Sequence, residues 1–242
     1  MSGKKILIID DDVALVASLS TGLRDEGFAV VSFNSGENAL DIFRQESPDL
    51  VLLDLMLPGL DGITVCRMIR RSSPVPVIML TAKKDDVDKI VGLEVGADDY
   101  ITKPFNFREL IARVKSALRR PEMDGYQDSD IPDVSTIGPL TVDFSRREVR
   151  VEGRLVVLPL KEYELLAVMA RKPGRVFERD DLLFRVWGDD FFGEEKTLDV
   201  HIRRLRAKLG PEFESIIGTV RNVGYRFTLP TNKESQLQER VQ

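Results

Sequence analysis

Strand-type runs near 5–9, 28–33, 49–53, 76–80 and 98–101 alternate with helix-period segments near 13–26, 36–46, 62–71, 85–95 and 106–120. Four of these five runs are rich in Ile, Val, Leu or Met without polar alternation, the pattern of strands covered by helices on both faces. The fifth is short and polar. Such alternation leaves few solutions, because parallel strands need long crossovers and helices supply them. The outcome is a doubly wound α/β domain, here a five-stranded parallel sheet, with its crevice at the carboxyl ends of the strands.

The residues at those ends share one chemistry. Ile8-Ile9 leads into Asp10-Asp11-Asp12, and Leu50-Val51-Leu52-Leu53 into Asp54. Val77-Ile78-Met79-Leu80 leads into Thr81-Ala82, and Tyr100-Ile101-Thr102 into Lys103-Pro104-Phe105. Crowded carboxylates repel, so either one protonates or a hard divalent ion such as Mg²⁺ sits among them. Aspartates, a threonine and a lysine delivered to one edge can handle a phosphoryl group: a carboxylate receives it, an ammonium and a metal neutralise it, and a hydroxyl binds it. Asp12 fits better as the N-cap of the helix that follows.

Past residue 120 the pattern changes. Pro121 ends the last helix, and residues 121–133 carry five acidic groups, no basic ones and no apolar periodicity, as in an acidic flexible linker. Beyond it, short strands near 140–142, 148–151 and 155–158 precede helices near 160–171, 179–187 and 195–209, and strands near 215–219 and 224–229 close a hairpin. This order predicts an α+β winged helix-turn-helix domain over 134–230. The tail 231–242 has no core pattern and is expected to be disordered.

The formal net charge of −5 argues against a nucleic-acid partner only as an average, since residues 196–209 hold five basic groups and one acidic. In that segment Leu198, Ile202, Leu205 and Leu209 form a helical core stripe, which leaves Lys196, Thr197, His201, Arg203, Arg204 and Arg206 to project elsewhere. Cys66 is the only cysteine and His201 the only histidine, which removes disulfides and Cys/His metal centres. With no apolar run long enough to span a bilayer, a soluble cytoplasmic protein with no membrane partner is expected.

The acidic pair Asp10-Asp11, Asp54 with its Pro58-Gly59 loop, Thr81-Ala82 and Lys103-Pro104 resemble the receiver domain of bacterial response regulators. Val186-Trp187-Gly188, the segment from Thr197 to Arg206, and Thr219-Val220-Arg221 through Gly224-Tyr225-Arg226 resemble the DNA-binding domain of the OmpR/PhoB subfamily. The resemblance covers about residues 4–120 and 134–230 and implies a transcriptional regulator of a two-component system, not an enzyme. A sensor histidine kinase would phosphorylate Asp54. Asp11, Asp54 and the Met56 carbonyl would hold Mg²⁺, with Asp10 assisting through water. Lys103 and Thr81 would bind the phosphoryl oxygens, and Tyr100 would be the aromatic switch.

The same resemblance implies a homodimer of phosphorylated receivers through residues 85–120. Lys89 would pair with Glu109, Asp99 with Arg113, Asp98 with Arg120 and Glu94 with Lys115, around Ile90, Leu93 and Ile111. On double-stranded DNA with repeated half-sites, Thr197, His201, Arg203 and Arg204 would lie near bases or phosphates. Lys196, Arg206 and the Trp187 indole suit phosphates, and Thr219 and Arg221 belong to the wing, with Arg221 reaching the minor groove. RNA polymerase is a further partner that the resemblance allows. Two alternatives are a phosphorylation-independent DNA-binding regulator and a Mg²⁺-dependent phosphohydrolase. The latter needs a second aspartate where Met56 stands.

Overall fold

A computed structural model describes residues 3–82, 93, 95–118, 133–188, 196–211 and 213–228. The N-terminal domain is built on strands β1 (Lys5–Ile9), β2 (Ala29–Phe33), β3 (Leu50–Asp54), β4 (Val77–Thr81) and β5 (Asp99–Thr102), all parallel, in the order β2-β1-β3-β4-β5. Helices α1 (Val13–Asp25), α2 (Ala39–Glu46), α3 (Gly62–Arg70) and α4 (Phe107–Leu118) cover its faces. The expected helix near 85–95 falls largely outside the described residues, of which Leu93 and Val95 are helical.

The period-two geometry of a strand sorts the apolar residues into two layers. Ile6, Ile8, Leu50, Leu52, Ile78, Leu80 and Ile101 pack with Leu19 and Leu23 of α1 and Leu110, Val114 and Ala117 of α4. Leu7, Ile9, Val51, Leu53, Val77, Met79 and Tyr100 pack with Phe43 of α2 and Val65, Cys66 and Ile69 of α3. Burial on both faces explains why these strands read as unbroken apolar runs.

The C-terminal domain opens with an antiparallel sheet of β6 (Val134–Ile137), β7 (Leu140–Asp143), β8 (Glu148–Val151) and β9 (Arg154–Val156). Helices α5 (Leu160–Ala170), α6 (Arg179–Trp187), α7 (Lys196–Leu209) and the short α8 (Phe213–Ile216) share one core with it. A second sheet, in the order β10-β12-β11, joins β10 (Val176–Glu178), β11 (Ile217–Val220) and β12 (Gly224–Phe227). The sequence pattern missed β6, β10 and α8, all of four residues or fewer, too short to display a period. The helix expected to start near 195 begins at Lys196, and the four stripe leucine and isoleucine residues of α7 lie in the core as expected. The linker from 121 and the tail from 231 fall outside the described residues.

The two domains touch. Val200 of α7 joins the apolar cluster that holds Leu93, Ala97 and Tyr100, and Leu160 of α5 packs against the layer on the other face of the receiver sheet.

Candidate functional site

Register builds the acidic site. Ile9 lies opposite Leu53, so Asp10 and Asp54 leave the sheet at the same edge, and Thr81 lies opposite Thr102, which puts Lys103 beside them. Asp10 and Asp54 are buried and Asp11 is exposed, and their ligand oxygens all lie within 4.8 Å of one another. Lys103 Nζ is 2.6 Å from Asp10 Oδ2 and 3.4 Å from Asp54 Oδ1. Burial pushes the Asp54 carboxyl above its ordinary value, Lys103 pulls it down and Asp10 pushes it up again. Thr81 is buried next to the site, and Tyr100 is buried in the layer behind it. Met56 is exposed.

The neighbours of this edge are local caps. Asp12 accepts from Leu15 N at 3.0 Å and caps α1, as expected. Asp61 accepts from Thr64 N at 2.7 Å and caps α3, whose first residue Gly62 sits against the end of β3. A Cβ on Gly62 would come within 2.0 Å of the Asp54 carbonyl oxygen. Gly62→Ala is expected to destabilise the fold by about 1–3 kcal/mol, as overpacking does. Urea unfolding checks this, and an unchanged midpoint would contradict so tight an approach.

The expected DNA-reading face is divided. Lys196, Arg203 and, at the hairpin tip, Arg221 are exposed. Thr197, His201 and Arg204 are only 1%, 0% and 9% exposed, so the expectation that they project into solvent is corrected. His201 and Arg204 are turned toward the receiver, a contact that no period within α7 can encode. Arg204 Nη1 donates to the carbonyls of Leu93 at 2.7 Å and Ala97 at 2.9 Å. His201 Nε2 lies 3.2 Å from the Asp98 carbonyl, toward which the buried Trp187 indole also donates at 3.4 Å. Arg206 donates to Ile217 O and, at 3.0 Å, to Thr219 Oγ1, which fixes α7 to β11 rather than leaving the guanidinium unengaged.

The charged groups foreseen on the receiver face have partners within the chain. Asp99 takes both carboxylate bonds from Arg113 at 2.8 Å, and Arg113 also pairs with Glu109 at 2.9 Å. Within the chain, Asp98 pairs with Arg70 at 2.5 Å and Lys115 with Glu26 at 2.6 Å. Ile111 and Leu93 are buried. Lys89, Ile90, Glu94 and Arg120 lie outside the described residues.

Sequence reasoning overlooked Asp98 as a contact to the other domain. Its Oδ2 accepts from Val77 N at 2.9 Å, and its Oδ1 accepts from Lys161 N at 3.3 Å, in the first turn of α5. That helix starts at Pro159, which supplies no capping side chain, so its first N–H groups need a partner from elsewhere. A helix start without a Ser, Thr, Asp or Asn cap was the available signal.

Burial holds His201 neutral, well below its ordinary pKa of 6.5, and the nearby Arg204 and Lys161 act in the same direction. The unfolded chain therefore binds more protons than the folded one below pH 6.5, and stability falls as pH falls through that window. Between pH 7.5 and 5.5 the chain is therefore expected to lose stability through this group. Urea titrations of wild type and His201→Gln at both values isolate it, and equal pH slopes would contradict the assignment.

Comparison with known proteins agrees with both halves. Residues 6–115 match the response regulator receiver domain, and residues 153–227 match the C-terminal domain of transcriptional regulatory proteins. The sensory transduction protein RegX3 of Mycobacterium tuberculosis H37Rv is 47% identical over 224 residues, covering 91% of this chain and 97% of the relative. The DNA-binding response regulator MtrA of Mycolicibacterium smegmatis is 45% identical over 225 residues, covering 92% and 96%. Among solved structures, a cysteine-to-serine mutant of RitR superposes with a TM-score of 0.77 at 28% identity over 93% of this chain and 99% of that one. DrrB of Thermotoga maritima, described as an OmpR/PhoB homologue, gives 0.50 at 36% identity over 94% and 100%. With a receiver sheet carrying an acidic edge, a winged-helix domain behind it and relatives matching along nearly their whole lengths, the chain belongs to the OmpR/PhoB-type response regulators, which are two-component DNA-binding regulators and not enzymes.

Proposed function

We propose that Asp54 is the phosphoacceptor through which a sensor histidine kinase controls this regulator. The observation that carries the proposal is the Asp54 carboxylate, buried at the sheet edge 3.4 Å from Lys103 Nζ and beside Asp10. The Asp54 carboxylate attacks the phosphorus of the kinase's phosphohistidine, the P–N bond breaks and the imidazole leaves, while Lys103 neutralises the transferred oxygens. Thr81 stands ready to donate its hydroxyl to the same group, and Tyr100, in the layer behind, registers its movement.

Among the described residues, three carboxylates against one ammonium leave an excess of negative charge on hard oxygen donors, a set that fits Mg²⁺. Asp10, Asp11, Asp54 and the Met56 carbonyl are the groups to hold it. Bound there, the ion would neutralise carboxylate and phosphoryl charge.

The receiver is assigned to 1–120, the linker to 121–133, the winged-helix domain to 134–230 and the tail to 231–242. Phosphorylated receivers pair through the face around Ile111, and two winged helices then occupy repeated half-sites, with RNA polymerase as the next partner in transcription. Dimerisation makes the second DNA contact intramolecular, so modest half-site affinity becomes tight occupancy. Lys196, Arg203 and Arg221, which are exposed, are the groups for DNA, and phosphate contacts make binding steeply salt-dependent.

Intact mass and light scattering after treatment with a small phosphodonor and Mg²⁺ test this reading. The expected result is one phosphoryl group and a monomer-to-dimer conversion in wild type, both absent in Asp54→Asn. Uptake that survives in Asp54→Asn would refute the acceptor assignment. Uptake without a change of mass in solution would refute the dimer and favour a regulator controlled in another way.

A further inference from the structure

Past Asp54 the chain runs on through Leu55-Met56-Leu57, three apolar residues with two fates. Leu55 and Leu57 are buried, whereas Met56 between them is 58% exposed. The backbone before it is pinned, because Leu55 N donates to Leu80 O at 2.9 Å and Leu55 O accepts from Gly62 N at 3.0 Å. The Met56 N–H in turn donates to the Asp54 carboxylate. A thioether is therefore held on the solvent side of the acidic edge, on a residue hydrogen-bonded to the acceptor itself.

Its accessibility separates this methionine from the other sulfurs. Among the described residues, Met79 and Met169 are buried and Met68 is half-buried, so Met56 is the methionine open to solvent. Cys66 is fully buried, and burial pushes its thiol pKa up, which keeps it in the unreactive protonated form. An exposed thioether is the sulfur that a peroxide reaches first, and its sulfoxide turns an apolar group into a polar acceptor.

We propose that Met56 is an oxidation site through which a peroxide shortens the life of the phosphorylated state, an inference that rests on Asp54 being the acceptor. With hydrogen peroxide, the Met56 sulfur lone pair attacks one peroxide oxygen, the O–O bond breaks and an S–O bond forms. The proton on the transferred oxygen passes to the departing hydroxide and gives water, so sulfur loses two electrons and the peroxide gains them. An apolar thioether offers no hydrogen bond to water at the mouth of the site, which protects a reactive acyl phosphate from hydrolysis. The sulfoxide oxygen accepts a hydrogen bond from a water there and holds it next to the phosphoryl group. That water attacks the phosphorus and the bond to the Asp54 oxygen breaks. The carboxylate is regenerated, and inorganic phosphate leaves with both protons of the water.

The full chain is treated with hydrogen peroxide, the peroxide is removed with catalase, and peptide mapping locates the added oxygen. Treated and untreated proteins are then loaded with a small phosphodonor and Mg²⁺, the donor is removed, and decay of the phosphorylated species is followed by intact mass. Oxidation is expected at Met56 ahead of Met68, Met79 and Met169. Decay is expected to run about threefold to tenfold faster after treatment, the scale of one added hydrogen bond to the attacking water. Methionine sulfoxide reductase restores the slow decay. Met56→Leu keeps an apolar side chain without sulfur and is expected to decay at one rate with and without peroxide. That comparison also removes the contribution of Met1 and Met123, which lie outside the described residues. Met56→Gln, a polar stand-in for the sulfoxide, is expected to decay faster than Met56→Leu with no peroxide present.

Oxygen found first at Met68, Met79 or Met169, or at Met56 with unchanged decay, would overturn the proposal. Equal acceleration of Met56→Leu by peroxide would also overturn it, because the effect would then belong to another sulfur. Absence of phosphoryl uptake by untreated protein would overturn the acceptor assignment and this inference with it, whereas uptake followed by decay indifferent to peroxide overturns this inference alone.

Discussion

Replacing Lys103 by methionine is expected to lower the rate of phosphoryl uptake at Asp54 by about a hundredfold or more, the usual consequence of removing one preorganised group that meets developing charge. The ammonium sits 2.6 Å from Asp10 and 3.4 Å from Asp54, so among the described residues it is the positive charge that faces the carboxylates of this edge. Methionine fills similar space and carries no charge, which leaves the buried Asp10 without its ion-pair partner. Lys103→Arg restores charge but not the compact point charge of an ammonium, and a partial recovery is expected. Rates are read by intact mass at fixed phosphodonor and Mg²⁺. Equal rates in wild type and Lys103→Met would remove Lys103 from the chemistry and leave it as a structural counter-ion to Asp10.

The parts of this molecule that were legible in the sequence are those whose signal is local. Strands β1, β3 and β4 announce themselves by unbroken apolar runs, and the residue ending each run falls at the acidic edge because parallel strands in register end together. The stripe Leu198, Ile202, Leu205 and Leu209 is likewise a one-helix pattern and lies in the core as read. Arg204 and His201 failed the same reasoning because another domain contributes to their burial. A basic residue on a helix has the same sequence signature whether it meets a phosphate or a carbonyl. Asp98 was read by its charge alone, although its work is divided between Arg70, Val77 N and Lys161 N, partners 28, 21 and 63 positions away.

Glu162→Gln is expected to destabilise the C-terminal domain by about 3 kcal/mol, at the lower end of what a broken buried ion pair costs. Glu162 lies on α5 with no exposure, and its two oxygens serve two cations of α7: Arg204 Nη2 at 2.6 Å from Oε1 and Lys208 Nζ at 2.7 Å from Oε2. The amide keeps the shape but cannot neutralise either charge. Lys208 can extend its stem to water and recover part of the loss, whereas Arg204 is only 9% exposed and cannot. The penalty therefore comes mainly from a buried guanidinium, and it should shrink when that guanidinium is removed as well. In a cycle with Arg204→Gln, the double variant is expected to be more stable than the sum of the single losses predicts. Urea unfolding of the four proteins measures this directly. A Glu162→Gln midpoint equal to wild type, or strict additivity in the cycle, would show that water reaches this cluster and that α5 and α7 are joined by their apolar contacts alone.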